Sequence, residues 1–178
     1  KDEGLINFFS NKNPDKLYNE CEALMETMKN EEGADVTMMF IHWGNEYELV
    51  ENALQRSIAQ KLCDMGIDVI VGGHPHVIEP IDLIESTVDP EHKTVVIYST
   101  GNAVSNQRIH EMRMKSGHTE DGILFNFTLA KYLDGSVEVI ETSCVPTWVY
   151  MVGDKESYTI LPLDAKQQDK WQETFEID

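Results

Sequence analysis

Three of the six histidines in this chain stand where their side chains could share a metal ion. His74 and His76 flank Pro75 immediately after Gly72-Gly73, and His42 ends an apolar run well upstream of them. Imidazole nitrogens suit zinc, iron, manganese or copper. In an extended His-Pro-His the side chains of residues i and i+2 point the same way, so two ring nitrogens can converge. The glycine pair lets the backbone turn sharply and approach a ligand, and Pro75 stiffens the spacing. A lone His42 would read as a polar residue satisfied at a strand end. Beside a His-x-His pair on the neighbouring strand end, ligation becomes the favoured reading. Three imidazoles with a free position for water are also the donor set of an open zinc site, provided the rings converge around one ion. Glu46 is the nearest candidate for acid-base work or for orienting a ligand, against the plainer reading of a solvated glutamate. His92, His110 and His118 lie among charged or turn-forming residues and read as solvated.

These side chains need elements to hold them. Asn13-Pro14 reads as an N-cap and first helical position, and Leu17, Cys21, Leu24, Met25 and Met28 then recur at helical spacing up to about Gly33. Asp35 to Trp43 is a run of apolar and β-favouring residues, continuous enough to predict a strand buried on both faces. A second helix is predicted from about Glu51 to Met65, stopped by Gly66. Ile67 to Val71 is the next buried strand, so the order strand, helix, strand forms a right-handed crossover with its strands parallel. His42 and His74 then follow the carboxyl ends of adjacent parallel strands, where open α/β sheets bind ligands.

Two more strands, Ile78 to Ile84 and Thr94 to Ser99, are joined by the turn-prone Asp89-Pro90. Gly122 to Tyr132 and Ser136 to Val145 flank Leu133-Asp134-Gly135, a hairpin signal. Pro146 and Pro162 punctuate the end, and Asp164 caps a short last helix through Trp171. Parallel α/β therefore leads into antiparallel β, in a single domain over residues 1–178 with no internal repeat or long linker.

Composition removes several functions. The chain carries 32 Asp plus Glu against 14 Lys plus Arg, a net charge of -18, so it repels nucleic acid and an anionic membrane leaflet. No apolar run approaches the roughly 20 residues that span a bilayer. Cys21, Cys63 and Cys144 form no CxxC pair and at least one thiol stays unpaired within the chain, so neither a thiolate zinc site nor a disulfide framework is indicated.

Larger motifs surround the histidines. The stretch Ile41-His42-Trp43-Gly44-Asn45-Glu46-Tyr47 and the later Gly66-Ile67-Asp68-Val69-Ile70-Val71-Gly72-Gly73-His74-Pro75-His76-Val77 resemble the bacterial poly-gamma-glutamate capsule synthesis family of the CapA type. Tyr98-Ser99-Thr100-Gly101-Asn102, Ser105-Asn106-Gln107, Glu120-Asp121-Gly122 and Pro146-Thr147-Trp148-Val149 extend the resemblance over roughly residues 36 to 150.

That family is similar to the calcineurin-like metallophosphoesterases. The resemblance implies the C-terminal part of a four-layer α/β/β/α sandwich with a metal site. His42 and His74 would serve one metal and His76 another, as Mn, Fe or Zn, and hydrolysis of a phosphate ester is the implied reaction. The superfamily's Asp-x-His, Gly-Asp-x-x-Asp and Gly-Asn-His motifs do not precede His42. The expectation is therefore a chain lacking the N-terminal half, inactive alone, with at most one metal bound where the full-length protein would hold two. Asn102 is the candidate for touching substrate, against the plainer reading of a turn residue. Arg108 and Arg113 are the nearest cations that could grip an anion, although a solvated reading is favoured. Relatives often have Gln where Glu79 stands.

The resemblance also implies a bacterial cell surface location through an anchor outside this chain. Capsule polymer or a phosphoester would be the substrate and membrane-bound synthase subunits the partners, and exposed strand edges could pair two chains. A noncatalytic accessory module of polymer synthesis or export, binding polymer or a synthase partner, is the rival reading.

Overall fold

Asn52 starts the helix that lies between the two histidine-bearing strands. Its side-chain oxygen accepts from the backbone N–H groups of Leu54 at 2.9 Å and Gln55 at 3.0 Å, while Gln55 Oε1 accepts from Asn52 N at 2.9 Å. This reciprocal box satisfies N–H groups that a helix start otherwise leaves unpaired. The helix, α2, spans Ala53–Asp64. The protein is seen in a computed structural model that describes residues 7–108, 117–152 and 157–164.

Before α2 come α1, Asp15–Asn30, and β1, Met38–His42. After it come β2, Val69–Gly73, β3, Ile81–Glu85, and β4, Lys93–Ile97. These strands form one sheet in the order β1-β2-β4-β3. β1, β2 and β4 are parallel, and β3 runs antiparallel to β4. A second, antiparallel sheet holds β5, Asp121–Lys131, β6, Val137–Val152, and β7, Ser157–Pro162, in that order. Mixed α/β with parallel strands leading into antiparallel β is thus the fold the chain adopts.

Alternation along the strands assigns the layers. Ile41, Ile70 and Val96 point to one face, where they pack with Leu17 and Cys21 of α1 and Ile58 and Leu62 of α2. Val69, Val95 and Ile97 point to the other, against Ile123, Phe125 and Phe127 of β5. Each fully buried aliphatic chain contributes about 1.5–3 kcal/mol. The helices therefore cover one face of the first sheet and the second sheet covers the other. None of the helices among the described residues is long and apolar enough to cross a membrane.

Two expectations need correcting. β1 is not buried on both faces, since Met38 is 42% and Phe40 73% exposed. It is the outer strand of its sheet, and the second sheet packs on β2 and β4 without reaching it. Pro146 does not end the antiparallel region but lies within β6. Its carbonyl accepts from Leu163 N at 2.8 Å, just past the end of β7, so its missing N–H falls at the last rung of that ladder. β7 itself carried no signal beyond Pro162. The predicted helix after Asp164 lies outside the described residues.

The carboxyl ends of β1, β2 and β4 are locked by one contact. Trp43 Nε1 donates to the Tyr98 carbonyl at 2.8 Å, and the two rings stack with centroids 5.7 Å apart. Gly72 sits beneath this bond, and a Cβ there would lie 2.0 Å from the Tyr98 oxygen and 2.4 Å from Trp43 Nε1. Gly72→Ala is expected to destabilise the chain by about 3 kcal/mol, because backbone rather than a mobile side chain must yield. Urea unfolding monitored by tryptophan fluorescence checks this; a wild-type midpoint would show that the close approach carries no such cost.

Candidate metal centre

The site grows from the residues that follow β1 and β2. Trp43 N donates to Gly73 O at 3.1 Å, and Tyr47 N donates to Pro75 O at 2.8 Å, so the two loops are tied backbone to backbone. Between those ties lie His74 and Glu46. His74, His76 and Tyr47 all have positive φ, at 100°, 62° and 67°. Such conformations cost non-glycine residues about 1–3 kcal/mol each and persist only where surrounding bonds fix them. The expected convergence of the two histidines therefore occurs, but through left-handed turns and not through an extended His-Pro-His.

Glu46, His74 and His76 each present a donor atom, and the three atoms all lie within 4.8 Å of one another. His76 Nε2 is 4.0 Å from Glu46 Oε1. Two imidazoles and a carboxylate suit a divalent transition metal, so the donor chemistry fits the ion that the resemblance implies. His42 is exposed on the outer strand, with its ring centroid 4.5 Å from that of His74. It is a neighbour of this donor group without belonging to it. His42 and His74 also line a groove of about 1030 Å³ that runs between β1 and α1.

Charge and hydrogen bonding prepare the imidazoles. Burial first, and then the neighbouring His42 and His76, lower the His74 pKa against the opposing pull of Glu46. This shift favours the neutral form of His74 that ligation requires. His76 Nδ1 lies 3.0 Å from Asn102 Oδ1. The Asn102 amide nitrogen is engaged with the carbonyls of His76 at 3.2 Å and Thr119 at 3.0 Å and with Gln107 Oε1 at 3.0 Å. Those acceptors fix the amide's orientation, so its oxygen must face the ring and the proton must sit on Nδ1. The Nε2 lone pair then points toward Glu46.

Asn102, expected to meet substrate, has both ends of its amide engaged inside the protein. Tyr47 stacks on His76 with centroids 5.9 Å apart, and Gln107 Nε2 reaches the Tyr47 hydroxyl at 3.4 Å. Sequence reading gave neither Tyr47 nor Gln107 a role, and only their presence in the quoted motifs hinted at one.

Arg108 corrects the solvated reading: it is 4% exposed and its Nη1 pairs with Glu120 Oε2 at 2.8 Å. The same oxygen accepts from Trp148 Nε1 at 3.1 Å. His92 is half-buried rather than solvated, with Nε2 3.1 Å from the Ile67 carbonyl. His118 is exposed and pairs with Asp121 at 2.9 Å. His110 and Arg113 lie outside the described residues.

Behind the loops, Glu79 is 2% exposed and accepts from Gln55 Nε2 at 2.7 Å. Its other oxygen has no hydrogen-bond partner among the described residues. Burial raises its pKa to about 7, with Glu51 and Glu48 adding to the shift and Gln55 opposing it.

Residues 5–107 match the family described as bacterial capsule synthesis protein PGA_cap. The PGA biosynthesis protein CapA of Bacillus subtilis (strain 168) is 38% identical over 106 residues, covering 60% of this chain and 24% of that protein. The capsule biosynthesis protein CapA of Bacillus anthracis is 33% identical over 95 residues, 53% of this chain and 21% of that protein. The chain thus spans about a quarter or less of the length of the relatives it matches. His42, Glu46, His74, His76, Asn102 and Gln107 all fall within the family match.

The buried carboxyl gives a pH test. Its folded pKa lies above the unfolded value of 4.5, so the native state holds the proton longer and stability falls as pH rises from about 4.5 through 7. The loss should total at most about 3 kcal/mol, and Glu79→Gln should remove it. Melting wild type and variant at pH 5 and pH 8 checks this: the variant should gain on wild type only at pH 8. Equal differences at the two pH values would show that Glu79 does not titrate in this window.

Proposed function

The chain belongs to the bacterial capsule synthesis family PGA_cap, and from that premise we propose that it carries part of the active site of a divalent-metal-dependent phosphoester hydrolase acting in poly-gamma-glutamate capsule formation. The observation that carries the reading is the meeting of Glu46, His74 and His76 at the carboxyl ends of two parallel strands. Open sheets of this kind bind their ligands at such ends. In this reading Glu46, His74 and His76 hold the ion. When bound, the ion would polarise a phosphoryl oxygen and acidify a water molecule.

The chain's own residues do the remaining work. Asn102 keeps the proton on His76 Nδ1 and so presents Nε2, Tyr47 backs the ring, and desolvation favours an uncharged His74. His42 stands beside His74 as a donor for a second ion, whose other ligands would come from polypeptide beyond this chain. Location at the cell surface, a membrane anchor and contact with synthase subunits belong to the same proposal.

A noncatalytic accessory role has one observation in its favour. The donor group has a single carboxylate among the described residues, and it supplies no second one to bridge two ions.

Calorimetric titration of this chain with Zn²⁺ or Mn²⁺ should find no more than one ion bound. His76→Ala should abolish that binding, and Asn102→Ala should weaken it about 10–100-fold, the usual cost of losing a group that orients a ligand. Phosphodiester and phosphomonoester hydrolysis should be measured on this chain and on a longer protein that includes the upstream sequence. Turnover by the longer protein alone supports the hydrolase; metal binding without turnover in either transfers the site to the accessory reading.

A further inference from the structure

One side-chain amide touches both loops of the metal centre. Gln55, in the first turn of α2, is buried, and its oxygen accepts from Asn52 N at 2.9 Å. Its nitrogen donates to Glu79 Oε2 at 2.7 Å. The flat of the same amide lies against Gly44, where a Cβ would meet Gln55 Nε2, Cδ and Oε1 at 2.7, 2.8 and 2.9 Å. Gly44 has φ of 81° and stands between His42 and Glu46. Only a residue without a Cβ combines that turn with so close a contact.

Glu79 is fixed from the other side. Its backbone N–H donates to Ser99 O at 3.2 Å, just past the end of β4, and Ile78 pairs with Thr100. Between β2 and that anchor the chain has only the short run that carries His74 and His76. The length of this run is set at one end by the sheet and at the other by Glu79. The loop that carries Glu46 is bounded in the same way, by β1 and by the capped start of α2.

We propose that Gln55 and Glu79 form a buried strut that sets the separation of the Glu46 loop from the His74–His76 loop, which makes both of them positioning residues for the metal centre. The inference rests on the metal reading for its consequence but not for its geometry. Neither residue belongs to the donor group, and the backbone bonds Trp43 to Gly73 and Tyr47 to Pro75 tie the loops through other residues. Without the strut those two bonds remain, but the Gly44 turn that leads to Glu46 and the Glu79 end of the histidine run lose the amide that spaces them, so the donor atoms are set less closely. Glu79→Gln keeps an oxygen for Gln55 to donate to, whereas Glu79→Met and Gln55→Met remove the bond while retaining bulk.

The experiment uses the 178-residue chain with two readouts. Calorimetry with Zn²⁺ measures affinity, and nuclear Overhauser contacts between the Tyr47 and His76 rings in metal-free protein report loop geometry directly. Glu79→Gln should match wild type in both. Glu79→Met and Gln55→Met, studied below their melting temperatures, should bind Zn²⁺ at least about tenfold more weakly and lose the ring contacts. If Glu79→Met does not fold, Gln55→Met carries the test alone. Wild-type affinity and ring contacts in a folded Met variant would overturn the strut. Wild-type protein that binds no Zn²⁺, with ring contacts still lost in the Met variants, would uphold the strut and remove the metal reading.

Discussion

The hydrogen bond from the Trp43 indole to the Tyr98 carbonyl is the constraint on which the rest of the site depends. It spans β1 and β4 across β2, and it closes only because Gly72 leaves no side chain in the gap. Every group at the site leaves the sheet within a few residues of this crossing. His42 and Glu46 leave beside Trp43, His74 and His76 after Gly72, and Asn102 shortly after Tyr98. Three parallel strands therefore end in register, and the loops start from a common fixed plane. A hydrogen bond of this kind contributes only about 1 kcal/mol net, but leaving the indole N–H buried without its partner would cost more than that. Its importance is geometric: it sets the origin from which short loops reach a shared point.

Above that plane the backbone is strained. His74, His76 and Tyr47 all adopt left-handed conformations, and together they cost several kcal/mol. Two independent ties to the loop carbonyls offset this, Tyr47 N to Pro75 O and the Asn102 amide to His76 O. Asn102 thus acts twice on one residue, fixing the peptide and the tautomer of its ring together. It is held in turn by Gln107 and Thr119, and Thr119 Oγ1 donates to the Gln107 carbonyl at 2.6 Å. The segment after β4 and the short turn that precedes β5 therefore buttress a histidine.

The histidine constellation was legible because it rests on local rules. A buried strand, a Gly-Gly turn and a His-x-His pair can each be read within a few residues, and the parallel crossover placed His42 and His74 side by side. What was not legible depended on partners distant in sequence. Glu46 could be named as a candidate, but its approach to His76 follows from the left-handed turn at Tyr47, which no propensity predicts. Arg108 reads as solvated in a polar stretch because its partner, Glu120, is distant in sequence. The continuous apolar run in β1 signalled a core strand, but whether an apolar strand is central or at the edge is decided by the order of the sheet. Pro146 reads as a strand end for a similar reason, since whether a proline breaks a strand depends on what lies opposite its missing N–H.

Charge bears on what the proposed site could approach. At -18, the chain's long-range field attracts cations and repels phosphate esters and polyglutamate alike. Glu46, Glu48 and Glu51 all lie between the end of β1 and the start of α2, so the local field has the same sign as the global one. A divalent ion held by Glu46, His74 and His76 would reverse that sign over the few ångströms where an anionic oxygen must come to rest, because a bound ion is the largest local charge at such a site. Neutral His74 matters here as well as for ligation. A charged imidazole could attract an anion but could not hold the metal, whereas a neutral one passes the whole task of charge compensation to the ion. On the proposed reading, metal binding and anion binding are then a single event in an acidic protein, and occupancy by the ion decides whether a polyanion can approach the loops at all.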